Sequence, residues 1–164
     1  MQIVKTHTFD APIAKCWAMF SNPDAHVSKF EGMGHHGVTI VEKKKTKKQL
    51  LLTVTREVDV VGIPGFAKKF IKDRNTVVSI DEWNDFGDGT YGGTFTLDTK
   101  GVPMSIAGET LLEADGDRSN YTVTIEIKVN VPLIGGKLTD FAKGIVHKQM
   151  DEEFALGDAW LAEH

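Results

Sequence analysis

The stretch YTVTIEIKVNVPLIGGKLTDFAKGIVHKQMDEEFALGDAWLAE, residues 121–163, decides the fold, because the period of its apolar pattern changes once, at Pro132. Before that point Tyr121, Val123, Ile125, Ile127, Val129 and Val131 alternate with Thr122, Thr124, Glu126, Lys128 and Asn130. Side chains two apart share one face of a strand. The alternation therefore predicts a strand over 118–131 with one buried and one wet face, as in antiparallel sheets. After Pro132 the run Leu133–Gly136 reads as a turn, and Lys137–Glu163 contains no proline and only two glycines. At ~100° per residue, Leu138, Phe141, Ala142, Ile145, Val146, Met150, Phe154, Leu156, Trp160 and Leu161 spread over more than half of a helix circumference. Asp140, Gly144, His147, Lys148, Asp151 and Asp158 take the remainder. A long helix with so broad an apolar face needs a large partner, and the partner available is the sheet.

Working back from this stretch, the period of two persists to about residue 35 and predicts further strands over 36–44, 49–61, 75–83, 90–98 and 102–114. Turns such as Asp85–Gly89 and Asp115–Asp117 join them. The first pair makes a hairpin around Lys43–Lys48, and in its second strand Leu50, Leu52, Val54, Val58 and Val60 share one face. Ahead of the hairpin, residues 2–9 read as a strand. Asp10-Ala-Pro12 reads as a helix start, with Asp10 as cap and Pro12 tolerated in the first turn. Trp17, Ala18 and Phe20 supply the apolar side of that helix. Asn22-Pro23 breaks it, and Asp24–Phe30 forms a second short helix before Glu31–Gly34 ends it.

Composition narrows the class. With 164 residues the chain is read as one domain spanning 1–164. Apolar residues make up 41% and charged residues 26%, far from a disordered composition. The 19 Lys and Arg against 23 Asp and Glu leave a net charge of −4, which lacks the basic footprint of a nucleic-acid binder. The single Cys16 excludes an internal disulfide framework and a cysteine-rich zinc site. No leader-like apolar segment and no run of 18 apolar residues is present, so the expectation is a cytoplasmic protein without stable membrane insertion.

The order strand, two short helices, six antiparallel strands and a long last helix corresponds to an α+β helix-grip fold, a curved seven-stranded sheet around the C-terminal helix. Three segments carry a family resemblance. Phe9-Asp-Ala-Pro-Ile-Ala-Lys-Cys-Trp17 resembles the opening strand and the "apxxxvw" start of the first helix of the SRPBCC (START-like, Bet v 1-like) superfamily. Glu82-Trp83 at the close of the middle strand is similar to it as well. Val131-Pro-Leu-Ile-Gly-Gly-Lys137 resembles most a bacterial branch whose members have no assigned function. The resemblance covers essentially the whole chain. It implies a cavity between sheet and helix that holds a hydrophobic ligand, but no reaction, since lipid carriers, polyketide cyclases and chaperone activators share the architecture.

The alternation and the resemblance together select the expected cavity wall: Val54, Val58, Trp83, Phe95, Met104, Ile106, Ile125, Phe141, Ile145 and Gln149. Phe66 and Phe70 lie in Val61-Gly-Ile-Pro-Gly-Phe-Ala-Lys-Lys-Phe-Ile71, which reads either as a mouth loop over the ligand or as a cluster plugging the barrel end. Arg56 is in phase with Leu52, Val54 and Val58, and Glu153 falls inside the apolar arc of the last helix. Together with Gln149 they could hold the polar ends of a ligand. The simpler reading is that Arg56 and Glu153 neutralise each other, or that a bulge returns Arg56 to solvent.

The remaining motifs speak for no chemistry. His35 and His36 are adjacent and so point to opposite faces, and no metal-binding spacing joins them to His7, His26 or His147. Cys16 reads as a small packed residue. The Lys43–Lys48 run reads as a solvated hairpin tip. No catalytic residue, metal or cofactor is assigned. The expected function is non-catalytic binding of a small lipid-, sterol- or polyketide-like molecule. One alternative is a cyclase- or hydratase-type enzyme drawing on Arg56, Glu153, Tyr91, Tyr121 and His7. The other is a protein-interaction module with a filled core, which would allow a homodimer through Phe66 and Phe70.

Overall fold

The computed structural model describes residues 1–164. Its seven strands are β1 (Gln2–Phe9), β2 (His36–Lys45), β3 (Gln49–Asp59), β4 (Arg74–Asp85), β5 (Tyr91–Thr99), β6 (Met104–Asp115) and β7 (Arg118–Val129). The helices are α1 (Ile13–Phe20) and α2 (Pro23–Gly32), between β1 and β2, and α3 (Gly135–Glu163) at the end. All strands belong to one antiparallel sheet in the order β1-β7-β6-β5-β4-β3-β2. This is the helix-grip fold expected from the change of period. The last strand stops at Val129 rather than 131: the Asn130 amide still donates in register to the Pro103 carbonyl at 3.0 Å, but proline has no N–H with which to continue the ladder.

The sheet's concave face is apolar for the reason the pattern suggests. Leu50, Leu52, Val54, Arg56 and Val58 of β3 are all buried, as are Tyr121, Val123, Ile125 and Ile127 of β7. Helix α3 lays one stripe across this face: Leu138, Ala142, Val146, Met150, Phe154, Gly157 and Leu161 recur every three or four residues and are buried. Gly157 sets the closeness of the contact, since a Cβ there would lie 2.9 Å from Cε1 of Phe9. At the sheet's edge, Lys43, Lys44 and Lys45 of β2 are exposed and discourage a further strand from pairing there.

One local expectation changes. Asp10 does not cap α1; Pro12 holds the cap position, and its carbonyl accepts from the Lys15 and Cys16 amides at 3.0 and 3.2 Å. Proline already has the extended φ that a cap needs, and no side-chain oxygen serves this helix. In α2 the cap is Asn22, whose side chain accepts from the Asp24 amide at 3.0 Å, with Pro23 in the first turn.

The β3–β4 loop plugs one end of the grip. A single 3-10 turn at Gly65–Ala67 sends Ala67 and Ile71 against Leu138 of α3, and Ile63, Phe66, Phe70, Phe141 and Ile134 pack around them. The first turn of α3 thus consumes the apolar groups of this loop.

Candidate functional site

Between the concave face and the helices lies a cavity of about 340 Å³. Strand alternation aims Ser79, Asp81 and Trp83 of β4 into it, beside Arg56 of β3 and Phe95 of β5. Helix α2 contributes His26, Lys29 and Phe30, and α3 contributes Gln149, Glu153 and Phe154. A second cavity of about 70 Å³ continues toward the plugged end and shares Arg56, Leu97, Ile106, Val146 and Gln149 with the first. Arg56 therefore stands at the waist between them.

The expected wall residues divide accordingly. Arg56, Trp83, Phe95, Ile106, Ile125, Gln149 and Glu153 line the larger cavity. Val58, Met104 and Ile145 line the smaller one. Val54 lines neither and is fully buried in the apolar core. Phe141, Phe66 and Phe70 also line neither, being used up in the plug. The boundary that the larger cavity shares with solvent is instead formed by Ser28 and Gly32 of α2 facing Ala159 and Glu163 of α3, all exposed. The mouth expected at Phe66 and Phe70 is thus displaced to the seam between α2 and α3, where Gly32 lets Leu156 approach closely.

Arg56 points inward, as its phase requires, and is 4% exposed. It does not pair with Glu153. Its Nε donates to Nδ1 of His35 at 3.1 Å, its Nη1 donates to Ser79 Oγ at 2.9 Å, and its guanidinium lies 3.8 Å from the centre of the Phe30 ring. Glu153 is held instead by Lys29 at 3.7 Å, because α2 crosses the cavity on that side. Acceptance of the Arg56 bond fixes His35 as a neutral imidazole, and burial together with Arg56 and Lys29 pushes its pKa down to about 4. His36 turns the other way, to Asp59 at 2.8 Å.

Asp81 is the polar cavity residue that the apolar reading of 75–83 passes over, although it has the parity of Val77, Ser79 and Trp83. Its Oδ2 is shut off from solvent and has no hydrogen-bond partner. Burial pushes its pKa up to about 6; Glu153 pushes the same way, and Lys29, Arg56 and Ser79 oppose it. Tyr121, stacked among Phe9, Phe20, Trp83 and Phe154, is also on the wall, its phenol pushed well up by burial. His7 and Tyr91 are not. His7 bonds Asp158 at 2.9 Å across the β1–α3 seam, and Tyr91 stacks on Trp17. Cys16 is buried against the Ala11 carbonyl, and burial pushes its thiol up.

Buried neutral histidines make the site sensitive to acid. His26 donates from Nε2 to the Phe20 carbonyl at 2.8 Å, and burial, with Lys29, pushes its pKa down to about 3. A base whose folded pKa lies below its unfolded value stabilises the fold above pH 6.5 and loses that contribution as pH falls toward 3. His35 adds in the same direction, while Asp81, with a raised pKa, gains stability as pH falls through about 6. Two histidines outweigh one carboxyl, so urea unfolding should show lower stability at pH 5 than at pH 7.5. His26→Gln should shrink that difference by about 2 kcal/mol; an unchanged difference would show that His26 is not held neutral.

A seven-stranded antiparallel sheet closed by a long helix, with a cavity at their interface, defines a helix-grip fold. The chain belongs to the family described as protein of unknown function (DUF2505), whose model matches residues 5–161. No curated protein matches the sequence. Solved structures that share the fold include the Zhui aromatase/cyclase from Streptomyces sp. R1128, at 14% identity, TM-score 0.69 and coverage of 99% of this chain and 93% of that one. Ara h 8.0201 matches at 15% identity and TM-score 0.66, covering 100% and 99%. A START superfamily protein from Mycobacterium smegmatis matches at 13%, TM-score 0.58, covering 99% and 97%. No helix of the chain is long and apolar enough to cross a membrane.

Proposed function

We propose that this protein binds a small hydrophobic or amphipathic molecule in the cavity between sheet and α3, as a non-catalytic cytoplasmic carrier or sensor. The observation that carries this reading is the cavity itself. Its volume of about 340 Å³ falls in the range that holds a small organic ligand, and most of its lining side chains are hydrophobic. A grip fold used only as an interaction module would fill that space with its own side chains, since interiors pack to crystal-like density. Native mass spectrometry of freshly purified protein, followed by organic extraction, tests it. The expected result is an excess mass over the 18.1 kDa chain that matches one extracted lipid or aromatic compound. Failure of any apolar compound to bind the emptied protein would count decisively against it.

A second reading is favoured by one specific feature. Asp81, Glu153 and Tyr121 converge on the wall beside Arg56, and a carboxyl pushed up to about 6 suits proton transfer near neutral pH. On that reading the chain is a cyclase- or hydratase-type enzyme acting in the same cavity, in keeping with the aromatase/cyclase among the proteins sharing its fold. Binding without turnover of hydroxylated polyketide-like compounds would separate the carrier from the enzyme. Nothing in either reading calls for nucleic acid, and a homodimer is compatible with both.

A further inference from the structure

One atom of the cavity wall is at odds with an apolar ligand. Asp81 Oδ2 is the buried side-chain oxygen that has no hydrogen-bond partner, in a chain where every other buried side-chain donor and acceptor either has one or meets solvent. A buried acceptor left bare costs free energy, and such groups in folded proteins call for an explanation. Ser79 lies close enough to lower the Asp81 pKa, yet no neighbouring group bonds this oxygen. Lys29 holds Glu153 at 3.7 Å, and Ser79 and His35 take the bonds that Arg56 donates. Trp83, Phe20 and Tyr121 form the apolar surround.

We propose that the ligand of this cavity carries a neutral hydroxyl head, an alcohol or a phenol, and that Asp81 Oδ2 accepts its hydrogen bond. The proposal rests on the ligand-binding reading above and specifies the chemistry of the head group. Charge selects hydroxyl over ammonium. In the enclosed part of the wall two cations, Lys29 and Arg56, balance two carboxyl groups, Asp81 and Glu153, and the third carboxyl, Glu163, is exposed to solvent at the rim, so the interior holds no net negative charge to draw in a third cation. A carboxylate head would be set against Asp81 and Glu153. A hydroxyl can donate to Asp81 while its own oxygen accepts from an N–H of Arg56 that His35 and Ser79 leave unused. The alkyl or aryl body then lies on the Trp83, Phe95 and Ile106 side.

The test compares two isomers, 1-decanol and 1-methoxynonane, by calorimetric titration of the full chain at pH 8, with decylammonium as a third probe. The isomers have the same atoms and differ in the donor. Decanol should bind about tenfold more tightly than the ether, the scale set by leaving one buried acceptor unpaired. In Asp81→Leu the preference should vanish while both isomers still bind. Should that variant fail to fold, the wild-type protein supplies a second readout at pH 5. The groups facing Asp81 are Lys29 from α2, Glu153 from α3, Arg56 and Ser79 from the sheet, and Tyr121 from β7; His26 and His35, with pKa values near 3 and 4, are neutral throughout. Protonated Asp81 can donate to the ether oxygen, so the tenfold preference should shrink there. Equal binding of the two isomers at pH 8 would overturn the hydroxyl assignment and leave the ligand-binding reading standing. Tighter binding of decylammonium than of decanol would overturn it as well. Binding of none of the three would overturn both.

Discussion

Truncating Arg56 to alanine is expected to lower the free energy of unfolding by about 3 kcal/mol at neutral pH, and the Tm by about 6–12 °C. The guanidinium sits at the waist between two cavities with two hydrogen bonds and the face of Phe30 as its partners. Alanine would strip all three, enlarge the void and leave Asp81 and Glu153 facing each other with one cation fewer. Part of the loss is offset because an isolated guanidinium in this place is itself costly to desolvate, as the downward push of burial on its pKa indicates. Arg56→Met keeps the stem's packing and should recover much of the stability, since apolar isosteres of buried charges are often tolerated. Thermal and urea unfolding decide the first point. Histidine NMR decides the mechanism: in Arg56→Ala the His35 pKa should rise from about 4, because one of the charges holding it down is gone. Wild-type stability in Arg56→Ala would mean that the guanidinium is not engaged as described.

Phe9→Ala should cost more, about 3–5 kcal/mol, as for other fully buried phenylalanines. Phe9 is 1% exposed and joins three structural parts: β1, which carries it; α1, through Phe20 at 5.8 Å; and β7, through Tyr121 at 5.8 Å. It is also the ring on which Gly157 sets α3. On the helix side the void left by alanine is bounded by Gly157, which has no side chain to fill it. Phe9→Leu should retain more than half of the lost stability. A loss below about 1 kcal/mol for the alanine variant would show that the β1–α3 seam is not packed as observed. Because Phe9 also borders the larger cavity, surviving Phe9→Ala protein should accept bulkier ligands than wild type.

These two residues also show how far the sequence carries. Phe9 shares its face of β1 with Lys5 and His7 and becomes core only when α1 and α3 pack on it. That Arg56 points inward, by contrast, follows from a local rule, since a strand's side chains alternate and a one-residue slip in β3 would expose its apolar neighbours. By the same rule Asp81 points inward beside Ser79 and Trp83, and the parity of β4 makes this legible without a structure. The partners are a different matter. Arg56 and Glu153 face the same space, yet Glu153 meets Lys29 and Arg56 meets His35, because α2 comes to lie between them. Nothing in the spacing of residues 23–35 states where that helix rests. The loop of Phe66 and Phe70 is similarly ambiguous until the first turn of α3 is in place and Leu138 and Phe141 take up its apolar surface.

By itself, then, the sequence determined the succession of periods, hence seven antiparallel strands and a gripping helix, and the set of side chains turned toward their interface. Those are consequences of backbone geometry, which repeats every two residues in a strand and every 3.6 in a helix. The tertiary structure alone decided that a void of about 340 Å³ survives there, that its rim runs along α2 and α3, and that Asp81 is left without a partner. A void is the small difference between the space enclosed by distant segments and the volume of the side chains they send into it. It is settled at the scale of single methylene groups, when those segments meet.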